Sequence, residues 1–181
     1  MRRRMLLALL LGVAAVAVVA TSVALANGDG DRNSFSAQLN GYNEVVGGPG
    51  ASTGSVSTRA RGTFRAKLRS NPTRLEFKLT YSGIEGGTVT QAHPHFAQKH
   101  VGGGVIAFFC GGPKPACPTP GGTVTGAILA SDVLGPADQG VEAGSFEEFV
   151  RALRAGAVYV NVHSSPSYPE GEIRGQVRVN D

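Results

Sequence analysis

Two alternating runs joined by a short turn constrain this chain more than any other feature. In the first, from Val56 to Arg69, the residues Ala60, Phe64, Ala66 and Leu68 share one side, and Arg59, Arg61, Arg65, Lys67 and Arg69 share the other. Successive side chains of an extended chain point to opposite faces, so this run has one apolar and one charged face. Ser70-Asn71-Pro72-Thr73 is a turn signal. Beyond it Leu75, Phe77, Leu79 and Tyr81 alternate with Arg74, Glu76, Lys78 and Thr80. The pair predicts an antiparallel hairpin with one dry face and one wet one. A parallel sheet covered by helices on both sides would read as continuous apolar runs instead. The row of basic residues reads as a solvated strand face that discourages edge pairing, diluted by Glu76 and Lys78 on the neighbouring strand. A surface for acidic glycans is the alternative reading of that row.

The remaining segments repeat the theme. Phe35, Ala37 and Leu39 alternate with Ser36, Gln38 and Asn40, and strand-like runs follow at Val89 to Phe96, Val105 to Phe109, Thr123 to Leu129 and Val158 to His163. In the last run Ile173, Val177 and Val179 alternate with Glu172, Arg174, Gln176 and Arg178. One helix interrupts the pattern at about 145–156. Ser145 and Glu148 have capping-box spacing, Phe146, Phe149, Val150 and Leu153 form its apolar stripe, and Gly156 stands where a C-terminal cap belongs. Seven or eight short strands, one short helix and no strand–helix–strand alternation predict an all-β fold, an antiparallel β-sandwich or Greek-key barrel.

The N-terminus reads as a leader. Arg2, Arg3 and Arg4 precede the apolar run Met5 to Ala20, and Ala24-Leu25-Ala26 has the small-x-small pattern of a cleavage site. The expected organisation is a signal peptide over 1–26, a flexible lead-in over 27–33 and a single domain over 34–181. The protein is therefore expected to be secreted or to reside in the cell envelope, without a membrane span after cleavage. Removing those three arginines leaves 14 basic against 13 acidic side chains, so the basic balance of the full chain belongs to the leader and does not suggest a nucleic-acid protein. In an oxidising compartment Cys110 and Cys117 are expected to pair and close the loop Gly111 to Ala116. A loop so short contributes about 2.5 kcal/mol in the chain-entropy view. Metal-thiolate ligation is the less suitable alternative outside the cytoplasm.

Chemistry concentrates in Thr90-Gln91-Ala92-His93-Pro94-His95-Phe96. On a strand His93 and His95 project from the same face, and His163 ends another strand-like run. These three imidazoles could hold copper or zinc if the two runs are neighbours. Glu170 or Glu172 would then be a fourth ligand or an acceptor for an imidazole N–H. The alternative is a structural polar network, with Asn161 and Gln91 serving buried groups and Arg174 pairing with Glu170, Glu172 or Glu44. Pro94 removes a backbone donor and fits an edge or a bulge. Catalytic signatures are weak. Ser164 and Ser165 adjoin His163 without a nucleophile elbow, Glu170 and Glu172 lack an aromatic platform, and Gly102-Gly103-Gly104 precedes an apolar strand rather than a helix.

Three ordered motifs carry a family resemblance. Phe35-Ser36-Ala37-Gln38-Leu39-Asn40-Gly41, followed by Glu44, resembles the opening of the CHRD domain. Ala92-His93-Pro94-His95-Phe96 is similar to its Ala-His-x-His motif, and Tyr159 to Ser164 with Gly171 to Gln176 resembles its C-terminal signature. Domains of this family occur in the animal protein chordin, which binds growth factors, and as free-standing secreted bacterial proteins. The resemblance implies an all-β extracellular domain and little about activity. No residue here argues for carrying over a growth-factor partner. His100-Val101 departs from the family pattern ahead of the three glycines, and marks His100 as an exposed loop residue rather than a ligand. The expected function is a secreted, non-catalytic binding or structural module whose extracellular or envelope ligand is unknown. Its alternative is a copper or zinc protein using His93, His95 and His163, with a redox role like that of extracellular copper–zinc dismutases.

Overall fold

The computed structural model describes residues 31–46, 54–70 and 73–180. The expected signal peptide, most of the lead-in, part of the connection between Gly41 and Gly54, and Asn71-Pro72 of the hairpin turn lie outside the described residues. Nine strands and one helix organise the remainder. The strands are β1 (Ser34–Asn40), β2 (Arg61–Ser70), β3 (Thr73–Ser82), β4 (Gly87–Phe96), β5 (Gly104–Val105), β6 (Gly122–Ile128), β7 (Val158–Pro166), β8 (Tyr168–Gln176) and β9 (Arg178–Val179), and the helix is α1 (Phe146–Arg154). They form one sheet in the order β5-β4-β7-β8-β1-β2-β3-β6, with β9 continuing along β1, and every pairing is antiparallel. The sheet curls into a half-barrel, as the all-β expectation requires.

The hairpin that sets the pattern forms as its parity demands. β2 and β3 pair along their whole length, Phe64 opposite Leu79 and Ala66 opposite Phe77. Phe64, Ala66, Leu75, Phe77, Leu79 and Tyr81 are all buried, whereas Arg61, Arg65, Lys67, Arg69 and Lys78 are exposed. Inside the curl the rings of Phe64 and Phe77 flank Phe109, with centroids 5.2 and 4.6 Å away. Burying a ring or a large aliphatic chain contributes about 1.5–3 kcal/mol each, so this layer supplies the main driving force. Two of the charged outer residues, Arg69 and Arg74, bond Glu76, and Arg59 bonds Glu85.

Helix α1 buries Phe146, Phe149, Val150 and Leu153. Ser145 occupies the N-cap position, but its hydroxyl makes no capping hydrogen bond. The other end matches its expectation. Gly156 has φ +68°, its N–H donates to Leu153 O, and the Ala157 N–H donates to Ala152 O. This is a left-handed Schellman termination, which favours glycine.

The apolar run Val105 to Phe109 does not become the expected five-residue strand. Only Gly104 and Val105 pair, with Phe96 and His95. Pro94 is the physical reason. Its carbonyl accepts the Ile106 N–H at 2.8 Å, but it has no N–H to return, and Ile106 O instead accepts the Leu134 N–H at 2.7 Å. A ladder needs both bonds, so the chain leaves it there and enters the core as irregular backbone. Ile106, Ala107 and Phe109 are still almost fully buried. Cys110 and Cys117 then form the expected disulfide, and Cys110 bridges back to Ala92 of β4.

A second buried layer of polar side chains on β4, β7 and β8

Antiparallel pairing of β4 with β7 places His93 opposite Asn161, His95 opposite Tyr159 and Gln91 opposite His163. On the far side of β7, Asn161 stands opposite Arg174, and Arg174 opposite Asn40. The period of two therefore lines His93, Asn161, Arg174 and Asn40 up across four strands. Val160, Val162 and Ile173 occupy the intervening positions and belong to the apolar core. The polar row is nonetheless dry, for His93, His95, Asn161, His163, Glu172 and Arg174 are all buried.

The three histidines converge. Ring centroids lie 4.4 Å apart for His93 and His95, 4.5 Å for His93 and His163, and 6.2 Å for His95 and His163. One nitrogen from each falls within 4.8 Å of the other two. Two nitrogens held tetrahedrally by one metal at 2.0–2.1 Å are about 3.4 Å apart, so closing the cluster on an ion needs its nitrogens to approach one another by up to about 1.4 Å. His163 sits where the β-ladder is irregular on both flanks, between Val89 and Gln91 on β4 and between Val162 and Ser164 on β7, and such bulges re-aim side chains.

Hydrogen bonds set the ring orientations. His95 Nδ1–H donates to Gly103 O at 2.8 Å, which leaves Nε2 as the lone-pair nitrogen. That Nε2 and the Nδ1 of His93 are buried without a hydrogen-bond partner. His163 Nδ1 meets Pro169 O and its Nε2 meets Asn161 Oδ1, each at 2.8 Å. A neutral ring donates only once, so one of these two contacts is not a donation from the ring. Burial lowers all three imidazoles from the ordinary 6.5. His93 falls to about 2 and His95 to about 4, with the neighbouring imidazoles adding to the effect, and His163 shifts the same way. The cluster is neutral at physiological pH, the protonation state a metal ligand needs.

The surrounding polar residues divide into two sets. Glu172 is fully engaged, accepting from Thr58 Oγ1, the Glu85 and Gly86 N–H groups and Ser164 Oγ. It ties the 58 and 85 loops to the last strands and has no free lone pair aimed at the histidines. Arg174 pairs with neither Glu170 nor Glu172. Its guanidinium lies 3.3 Å from the centre of the Tyr159 ring and donates to Gln98 O and Val101 O, and Tyr159 stacks on His95 at 4.6 Å. Glu170 is exposed. Glu44, by contrast, is buried with Oε2 unpartnered, and desolvation raises its carboxyl to about 7 although the Val45 N–H, Arg174 and Asn161 favour the anion. Tyr159, Phe108, whose ring meets His93 edge-on at 5.0 Å, and the Gly103 carbonyl were not marked as site groups by the sequence pattern. Tyr159 alone had an accessible signal, its place two residues before Asn161 on the same face. His100 stands apart from the cluster in an exposed turn at φ +65°.

The CHRD domain family model matches residues 35–177. No curated protein and no solved structure matches the chain.

Proposed function

This chain belongs to the CHRD domain family, and we propose that it is a secreted, non-catalytic binding or structural module of that family. The observation that carries this reading is how the family's own motif residues are used. Glu172 takes four hydrogen bonds, Arg174 is locked by a ring and two carbonyls, and Asn161 and His163 bond one another. Groups satisfied in this way hold loops together and are unsuited to turnover, which needs a base or nucleophile free to meet a substrate. The disulfide Cys110–Cys117 agrees with an extracytoplasmic setting. Its ligand is unidentified.

A second reading, a copper or zinc centre at His93, His95 and His163, rests on one specific observation. His93 Nδ1 and His95 Nε2 are buried, neutral and without a partner, inside a cluster whose third member is His163. Three imidazoles with no carboxylate or thiolate among them suit copper or zinc rather than calcium or magnesium. The experiment is elemental analysis of the chain prepared without a histidine tag, exposed to each ion and dialysed. The metal reading expects about one ion per chain, abolished by His93→Ala. Well below one ion per chain removes it, and His93→Ala then changes stability alone.

A further inference from the structure

Beside the buried layer, where β1 meets β8 and β9, a concave pocket of about 340 Å³ opens to solvent. We infer that this pocket binds an organic oxyanion the size of one acidic sugar, held by Lys99, His100, Arg174 and Arg178. The four come from two distant parts of the chain, a turn after β4 and the last two strands, and none of the pocket's lining residues is acidic. The basic row on β2 lies on the same face of the sheet, with Arg65 opposite Ser36, but it lines no part of this pocket, and Arg69 at its far end is paired with Glu76.

Three observations support a built pocket rather than a chance cluster. Arg174 is fixed in place by the Tyr159 ring beneath it and by the carbonyls of Gln98 and Val101. At 2% exposure Arg174 forms the pocket's floor, and with Nη2 already donating to two carbonyls it offers an oxyanion a fixed positive charge. Lys99 and Arg178 are exposed and form no ion pair among the described residues. Their charge is available to a ligand. His100 is the one non-glycine residue with positive φ among the described residues, at +65°. Residues outside glycine rarely hold this conformation, and it places an imidazole on the rim where a glycine would turn the chain more easily. The volume lies at the small end of ligand pockets, ~300–1,000 Å³. Gln38 and Asn43 on its wall supply amide groups suited to hydroxyls.

The test is calorimetric or NMR titration of the full chain with glucuronate, glucose and inorganic sulfate at low salt. Glucuronate is expected to bind at least tenfold more tightly than glucose, and more weakly as salt is raised. The Lys99→Gln/Arg178→Gln double variant is expected to lose at least tenfold in affinity with its thermal midpoint unchanged. His100→Gly is expected to weaken binding several-fold without lowering that midpoint, which separates a ligand contact from a structural role. Equal binding of glucuronate and glucose, or a double variant that binds like the parent, overturns the site. Sulfate binding as tightly as glucuronate overturns the sugar-sized part and leaves an oxyanion site alone. None of these outcomes depends on metal at the histidines.

Discussion

Replacing Glu44 with glutamine tests the second buried layer most directly. The carboxyl is 3% exposed, its Oε2 has no partner, and burial raises it from 4.5 to about 7. In the unfolded chain Glu44 ionises near 4.5, but in the folded chain it keeps its proton until about 7. Its contribution to stability is therefore fully present below the unfolded value and is lost as pH rises through the folded one. With those two values, linkage gives a loss of about 2.5 kcal/mol between pH 5 and pH 8. Glutamine has the shape of the protonated acid and cannot ionise. Glu44→Gln should therefore match the parent within about 1 kcal/mol at pH 5, and exceed it by about 2–3 kcal/mol at pH 8. Urea denaturation of both proteins at each pH measures this, and the difference between them cancels every other titrating group. A variant equal to the parent at both values, or less stable at pH 8, refutes the reasoning. It would mean that the carboxylate is held as an anion by a partner the fold brings to it.

Two further perturbations probe the same layer. His95 is lowered from 6.5 to about 4, so the unfolded chain takes up the proton first and stability falls as pH drops below about 6.5. His95→Gln should remove about 2 kcal/mol of the parent's loss between pH 7 and pH 5, read by urea denaturation, and an unchanged pH slope would show that the ring is not desolvated. Gly171 has φ +133°, and a Cβ there would lie 2.6 Å from Glu44 Oε2 and 2.8 Å from Asn161 Nδ2. Gly171→Ala should cost about 3 kcal/mol by the same measurement, and a loss under about 0.5 kcal/mol would place Glu44 elsewhere.

The apolar half of the fold was legible because its signal is periodic. Phe64, Ala66, Phe77 and Leu79 announce their face by parity alone, and Gly156 announces the end of α1 by conformation. Val105 to Phe109 reads as a strand in sequence, but the deciding fact lies on another segment. Pro94 offers that run a carbonyl and no donor, and Leu134 supplies what is missing. The alternation Glu172, Arg174, Gln176 has the same ambiguity. A polar face in a period-two pattern is normally wet, yet Glu172 and Arg174 are buried beneath loops that local pattern cannot position. The histidine cluster was half legible. Shared parity puts His93 and His95 together, but only the β4–β7 register brings His163 to them.

That second layer also bears on how its two readings relate. A structural network and a metal centre are usually weighed as rivals, but here they overlap only at His163, whose two nitrogens meet Pro169 O and Asn161 Oδ1. Glu172 gathers four donors at one end of the layer, and Arg174 is held by Tyr159 and two carbonyls. Among the described residues the unpartnered atoms lie elsewhere, on His93 Nδ1, His95 Nε2, Glu44 Oε2 and Gln176 Oε1. Buried polar atoms without partners are rare in native folds, and four on or beside one polar layer mark a local deficit rather than loose packing throughout. An ion bound by the imidazoles would satisfy the first two of these atoms. Glu44 Oε2 would gain nothing from it unless it became a ligand itself, so its titration tells the cases apart. If loading copper or zinc leaves the Glu44→Gln stability difference unchanged, the carboxyl is part of the scaffold. If loading abolishes that difference, Glu44 belongs to the metal centre, and the network and the site are one structure.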